Sequence, residues 1–314
     1  MGQNVTVKEL GHIGWLGIGN MGLAMARRLA DAGAHLSVYN RSPEKAEPLR
    51  AHGAQVARSL QDLAGCDIIV TMLATGDVVE DLLLGNAGLM SQSGGKKPKV
   101  VIDCSSISVE TSSSIRARLA TMGVAFIAAP VSGNPEVVAM GNSTFVCSGP
   151  PEMVERLKPL FMSVGKAASY VGEGELARVA KICHNVWLGG VSQTLAEVLV
   201  LGQKAGLTRE AFLNFLNQSA MGSAFTKGRT PSWVALDGAA GFSPWLMRKD
   251  MDLGLDLAKS LEMPMPLSNT ARDFLQALIN SGDAEADFTQ GLMQLQARAS
   301  GLQMTPEKSA GDRH

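Results

Sequence analysis

Apolar and polar positions follow two different rhythms along this chain. In the first half, short apolar blocks alternate with amphipathic stretches. His12 to Leu16, Leu36 to Tyr39, Gln55 to Ala57, Asp67 to Leu73, Val100 to Asp103 and Ala125 to Ala129 read as strands. Asp67–Leu73 and Val100–Asp103 are nearly continuous apolar runs, as strands covered on both faces of a parallel sheet are. Met21 to Ala32 reads as a helix that stops at Gly33, and Glu44 to His52 as a helix started by Pro43. Strands alternating with helices predict an α/β fold with a doubly wound parallel sheet.

The rhythm changes near Val171-Gly172-Glu173-Gly174. Glu175 to Ala205 is one long helical pattern, and nearly everything after it also reads as helix. The expected layout is an α/β domain over 1–174 and an all-helical domain over 175–314. The long helix is too apolar for an open surface, so it is expected to lie buried between domains or subunits. Thr305 to His314 is polar and expected to fray. No internal repeat and no low-complexity segment beyond short serine-rich patches is visible.

The chain has 314 residues, 46% hydrophobic, with a formal net charge of −1. That supports a sizeable core and lacks the electrostatic footprint of a nucleic-acid binder. Cys66, Cys104, Cys147 and Cys183 are scattered and form no CxxC pair, which fits a reducing compartment and predicts neither a disulfide framework nor a metal site. The first residues lack the apolar core of a signal peptide, and no apolar run reaches membrane-spanning length. The expectation is a soluble, cytoplasmic protein without nucleic-acid or membrane partners. The sixteen methionines read as adaptable core filler. Trp187 and Trp245 read as packing or pocket wall, Cys183 as an inert buried thiol, and His12, His35 and His52 as surface or strand-edge residues.

Chemistry enters with Gly17-Ile18-Gly19-Asn20-Met21-Gly22, which follows a strand and opens a helix. Gly17 permits a tight turn, Gly19 lets backbone approach a phosphate, Gly22 lets the helix pack closely, and the helix N-terminus meets the phosphate charge. A plain glycine turn is the alternative. The next strand ends in Asn40-Arg41-Ser42, where NAD-binding proteins often carry a carboxylate. An arginine pairs with a 2′-phosphate, and Lys45 adds charge nearby, so NADP is favoured over NAD.

Lys181 and Asn185 are four residues apart and share a helix face. Among Ala177, Val179, Ala180 and Ile182, the lysine is expected to be desolvated, with a lowered pKa that suits proton transfer near neutrality. Alone, such a pair also reads as a solvated face. Three further segments add candidate partners. Asp103-Cys104-Ser105-Ser106 ends an apolar strand, where open α/β sheets bind ligands. Ala129-Pro130-Val131-Ser132-Gly133-Asn134 offers a hydroxyl and backbone amides for an anion. The stretch from Phe242 to Asp250 has Lys249 and Asp250 opening another helix. Arg178 and Arg248 stay unplaced.

These motifs, with Met72-Leu73 between the first and second, come in an order that resembles the β-hydroxyacid dehydrogenase family. That family includes 3-hydroxyisobutyrate dehydrogenase, glyoxylate/succinic semialdehyde reductase and 6-phosphogluconate dehydrogenase. The resemblance runs from about His12 to near Ala297. It implies a Rossmann-like domain followed by a helical one, with the long helix at a homodimer interface. It implies catalysis by Lys181 as acid/base, with Ser132, Gly133 and Asn185 holding the substrate and Ser106 near the nicotinamide. Asn185 is also expected to act in catalysis, and Ser106, Asn134 and Phe242, from the segments above, are further expected substrate contacts. It implies cofactor binding by Gly17, Gly19, Asn20, Met21, Gly22, Asn40, Arg41, Ser42, Lys45, Met72, Leu73, Ser105 and Lys249. The implied reaction is NADP-dependent interconversion of a small hydroxy acid and its oxo acid or aldehyde.

Three departures bear on substrate. Asn134-Pro135 stands where the family usually has a second glycine, Ala128 where an acidic residue often precedes the Ala-Pro-Val-Ser segment, and Glu136-Val137-Val138 is bulkier than usual. Lys-x-x-His-Asn is similar to the 6-phosphogluconate enzyme, but Leu188 replaces that enzyme's acid. An imine reductase and a non-catalytic nucleotide-binding scaffold are the alternative readings.

Overall fold

The computed structural model describes residues 6–92, 94–237, 241–283 and 287–307. Six parallel strands form the main sheet: β1 (His12–Leu16), β2 (His35–Tyr39), β3 (Gln55–Val56), β4 (Ile68–Thr71), β5 (Val100–Asp103) and β6 (Ala125–Ala128). Their spatial order is β3-β2-β1-β4-β5-β6, so the chain winds outward in both directions from β1 and β4. All residues of β4 and β5 are buried. Successive residues serve opposite layers, with Ile68, Val70, Val100 and Ile102 in one core and Ile69 and Val101 in the other.

Helices α1 (Asn20–Asp31), α2 (Gly76–Leu84), α3 (Leu89–Gln92) and α4 (Val109–Thr121) connect these strands. The helix expected over Glu44–His52 is instead two 3-10 pieces, Pro43–Lys45 and Glu47–His52. Pro48 lacks an N–H and its ring crowds the carbonyl four residues back, which rules out a continuous α-helix there. A second, three-stranded sheet was not foreseen. Strands β7 (Val131–Ser132), β8 (Thr144–Cys147) and β9 (Ala167–Tyr170) pair antiparallel and then parallel, with α5 (Pro135–Ala139) and α6 (Pro151–Val164) between them.

From there on the chain is helical among the described residues: α7 (Leu176–Lys204), α8 (Arg209–Gln218), α9 (Ala224–Ala235), α10 (Pro244–Ser260), α11 (Pro266–Asn280) and α12 (Phe288–Ala299). Contacts divide the chain into two compact units, Met1–Ile182 and Cys183–His314, with the division inside α7. Within the second unit, helices approach closely at glycines. A β-carbon on Gly189 would stand 2.4 Å from Met251 Sδ, and one on Gly291 2.5 Å from Leu278 Cδ2.

The segment expected to fray is anchored as far as it is described. Arg209 is fully buried and donates to the carbonyls of Trp233 (2.9 Å), Val234 (2.9 Å) and Thr305 (2.7 Å). The Glu307 carboxylate accepts from the amides of Arg209 and Glu210, both at 3.0 Å, and so caps the start of α8. Those backbone acceptors and amides, invisible in a polar sequence, hold the segment down. Positions 308–314 lie outside the described residues. Also among the described residues, no helix is long and apolar enough to cross a membrane.

Candidate active site

The glycine segment turns at the carboxyl end of β1, where the strand order reverses. Gly17 has φ +100°, and a β-carbon there would meet the Met72 carbonyl oxygen at 2.3 Å. A β-carbon on Gly22 would meet the Gly17 carbonyl oxygen at 2.0 Å. Gly19 differs: it is exposed, and nothing lies within 4 Å of where its β-carbon would be. The fold itself demands Gly17 and Gly22 but leaves space over Gly19, at the N-terminus of α1. Backbone amides there fit a pyrophosphate. Asn20 and Met21 form the first turn of α1, with Met21 packed partly on the core.

Asn40 braces this loop. Its Oδ1 accepts from the Ile18 amide at 2.9 Å, and its Nδ2 donates to the half-buried Ser42 carbonyl at 2.9 Å. Gly17 N–H donates to the Tyr39 carbonyl (3.0 Å) and Trp15 Nε1 to the Gly17 carbonyl (3.0 Å). The side chains of Arg41 and Lys45 are exposed and make no hydrogen bond or ion pair among the described residues; the Lys45 amide donates to the Ser42 carbonyl at 3.2 Å. The carboxyl end of β2 thus presents a ready cation and no carboxylate in the Asn40-Arg41-Ser42 segment.

The end of β5 holds a buried polar cluster. Asp103 Oδ1 accepts from the hydroxyls of Thr71 and Ser105, both at 2.6 Å, and from the Ser105 amide at 3.1 Å. Ser105 Oγ accepts from the Leu73 amide at 2.9 Å, so the cluster also ties the Met72-Leu73 turn. Ser106 follows, half-buried. The counter-ion is Arg178, from the first turn of α7. It donates to Asp103 Oδ2 (2.5 Å), to the carbonyls of Asp103 (3.2 Å) and Ser105 (2.6 Å), and to Ser112 Oγ (3.1 Å). Side-chain exposure is 1% for Arg178 and 0% for Asp103, so neither charge would be tolerated without the other. Ser112 also bonds Glu175, which pairs with Arg116 at 2.6 Å. Burial pushes the Cys104 thiol well up, and the Asp103 charge adds to that.

The sequence named Arg178 as able to reach the site without placing it, and its pairing with Asp103 was missed. The signal was present but partial: two cations, Arg178 and Lys181, in the otherwise apolar run from Leu176 to Ile182, and one anion ending an apolar strand. Two opposite charges, each set in apolar surroundings, are expected to find one another.

Lys181 lies one turn after Arg178 on α7, half-buried, in the first unit. Ser132 ends β7 and is half-buried, and Gly133 follows with φ +135°. A β-carbon on Gly133 would stand 2.9 Å from Val137 Cγ1, so the bulky stretch after it requires this glycine. The Asn134 carboxamide is committed to the fold: its Oδ1 caps α5 by accepting from the Val137 amide at 2.9 Å, and Pro135 fills the first helical position. The unusual Asn134-Pro135 pair is thus a helix start.

The remaining residues lie in the second unit. Asn185 is buried; its Nδ2 donates to Asp250 Oδ2 at 2.5 Å and its Oδ1 is 2.9 Å from His184 Nδ1. An amide oxygen only accepts, so His184 Nδ1 is the donor in that bond. Lys249 Nζ is 3.1 Å from Asp250 Oδ1. Lys249 and Asp250 occupy the second turn of α10 and do not open it, because Ser243 and Pro244 supply the start. The Phe242 ring packs edge-on against Phe288, 5.7 Å between centroids. One reading is overturned here and one is narrowed. Cys183 is exposed, because its position turns away from the apolar face that buries Ile182 and Val186. Trp187 is 61% exposed and Trp245 40%, which removes the interior-packing half of the packing-or-pocket-wall reading. Among the described residues no group of His, Cys, Asp and Glu is arranged to hold a metal ion.

Two family profiles match the chain: the NAD binding domain of 6-phosphogluconate dehydrogenase over residues 12–172, and the NAD-binding domain of NADP-dependent 3-hydroxyisobutyrate dehydrogenase over residues 175–295. A 3-hydroxyisobutyrate dehydrogenase of Pseudomonas aeruginosa is 36% identical over 281 residues, spanning 87% of this chain and 93% of that protein. An NAD-dependent L-serine dehydrogenase of the same organism is 31% identical over 286 residues, spanning 88% and 95%. The crystal structure of a 3-hydroxyisobutyrate dehydrogenase from Salmonella typhimurium superposes with a TM-score of 0.80 at 26% identity, covering 91% of this chain and 99% of that one. With the parallel sheet, the glycine turn at its switch point and the helical second half, these matches establish that the chain belongs to the β-hydroxyacid dehydrogenase family of NAD(P)-dependent oxidoreductases.

Proposed function

We propose that this chain uses NADP(H) to interconvert a small hydroxy acid and its oxo acid or aldehyde, with Lys181 as general acid/base. When bound, the cofactor takes up or supplies a hydride at the substrate carbon. In oxidation the Lys181 amine accepts the hydroxyl proton while the C–H hydride leaves, so the C–O bond becomes C=O. In reduction the Lys181 ammonium returns that proton to the nascent alkoxide. The substrate carboxylate sits on the Ser132 hydroxyl and the Gly133 amide. Asn185, its carboxamide held by Asp250 and His184, offers its second Nδ2 hydrogen to the reacting oxygen.

The observation that carries the reading is the position of Lys181. Its helix begins bonded, through Arg178, to the carboxyl end of β5, so the amine and the nucleotide loop belong to one compact unit. NADP is favoured by Arg41 and Lys45, whose side chains have no partners among the described residues, beside an Asn40 that cannot repel a phosphate. Gly17, Gly19, Asn20, Met21 and Gly22 would cradle the pyrophosphate, with Met72, Leu73, Ser105, Ser106 and Lys249 bordering the rest. A homodimer is supported by exposed Trp187 and Leu201, two heptads apart on α7.

The deciding experiment is Lys181→Ala, assayed against small hydroxy acids and aldehyde acids. Turnover is expected to fall about 10²–10⁴-fold, with NADPH binding unchanged. Parental turnover in that variant would remove Lys181 from the mechanism.

A further inference from the structure

The Arg178–Asp103 pair does more than neutralise two charges. It joins three segments flanking the candidate chemistry: the Leu73 turn through Ser105, the Ser105–Ser106 loop, and the first turn of α7. We propose that Arg178 is a positioning residue, and that its bonds to Asp103, Ser105 and Ser112 fix where Lys181 stands relative to the Leu73 and Ser105–Ser106 loops. The assignment rests on the oxidoreductase reading above.

Stability alone does not account for the arrangement. Two apolar side chains of similar volume would hold a helix against a sheet about as well as a buried ion pair does. They would not define its rotation or register. A guanidinium can, because its donors lie in one plane at fixed angles. Here they reach the carboxylate and backbone carbonyl of Asp103, the carbonyl of Ser105 and the hydroxyl of Ser112 together. Lys181 follows Arg178 by three positions on an unbroken helix, so any rotation of the first turn moves its amine directly. A second brace acts on the residues just before that turn: Glu175 bonds Ser112 and Arg116, and Arg116 also donates to the Gly174 carbonyl at 2.6 Å.

The test uses the full chain and three variants: Arg178→Lys, Arg178→Met, and Arg178→Met combined with Asp103→Asn. The combined variant removes both charges, so no lone ion is left buried. Each is examined by thermal unfolding, NADPH titration, hydrogen–deuterium exchange over residues 71–75, 103–107 and 176–182, and steady-state kinetics. In the combined variant we expect cooperative unfolding, faster exchange in all three segments, and NADPH binding weakened by less than kcat falls, because the Gly17–Gly22 loop keeps its own bonds. Misplacement by an ångström costs about 10²-fold, so kcat is expected to fall by about that factor, with little change in KM for the acid. Arg178→Lys recovers part of the loss.

Parental exchange or parental kcat in the combined variant would overturn the proposal. So would failure of that variant to fold, because the pair would then be serving stability. The exchange measurement needs no turnover. A parent inactive on every hydroxy acid and aldehyde would sink the oxidoreductase reading while the exchange result still judged the role of Arg178.

Discussion

The three glycines of the nucleotide loop separate folding from binding. At Gly22 a β-carbon would stand 2.0 Å from a carbonyl oxygen, so Gly22→Ala must displace backbone. Overpacking of that kind costs about 1–3 kcal/mol, against a helix-propensity gain of about 1 kcal/mol. At Gly19 no atom lies within 4 Å, and φ −80° with ψ −173° suits any residue. Gly19→Ala gains about 0.4–1 kcal/mol by stiffening the unfolded chain. It loses a comparable amount, roughly 1 kcal/mol at most, because alanine is a poor N-cap. The net change in stability is therefore near zero. Binding is another matter. The added methyl occupies the approach of a pyrophosphate to the start of α1, and a hydrogen bond to a charged group is worth about 1.5–3 kcal/mol. Losing one such bond weakens NADPH binding roughly 10–100-fold at about 1.4 kcal/mol per tenfold. Urea denaturation of both variants and a fluorescence titration with NADPH measure the two effects separately. Gly19→Ala losing as much stability as Gly22→Ala, or binding NADPH as the parent does, would refute the division of labour.

Three other outcomes are expected. Arg41→Ala should lower the ratio of kcat/KM for NADP over NAD about 10–100-fold, the worth of one charge-assisted bond; a parent that prefers NAD and is indifferent to the change contradicts the cofactor assignment. His12 stacks on His35 at 3.9 Å, and burial, then the His35 charge, hold its pKa below the ordinary 6.5. The native state binds fewer protons there than the unfolded chain, so this stability is full above pH 6.5 and is lost as pH falls below it. Urea midpoints measured down to about pH 5 should decline less steeply in His12→Gln, and an unchanged slope rules His12 out. Light scattering should give twice the protomer mass, with Trp187→Glu shifting the population to protomers; a monomeric parent ends the dimer proposal.

Much of the sheet was legible because parallel strands write themselves as apolar runs, and β4 and β5 lie within the runs read from sequence. The glycine motif was legible because each glycine answers a local geometric demand. What escaped was non-local or short. Strands β7 to β9 have two to four residues each and no clear alternation, so only pairing defines them. The capping role of Asn134 escaped because its bond to the Val137 amide depends on Pro135 actually starting a helix. Cys183 looked buried because its sequence neighbours are apolar, yet on a helix the neighbour in sequence is about 100° away in space. Arg178 went unpaired for a different reason: its partner lies 75 residues earlier, so a charge set among apolar residues announces a need for a counter-ion without saying which one.

The buried cation of α8 has a consequence for how the helical unit is made. Arg209 leaves the ribosome 98 residues ahead of the Glu307 carboxylate that caps its helix. Until Thr305 and Glu307 emerge, the guanidinium lacks one of its three carbonyls, and the α8 amides lack their acceptor. Completion of these contacts therefore waits on the late arrival of a few polar residues. Changes introduced there reach the interior and do not stay at the periphery.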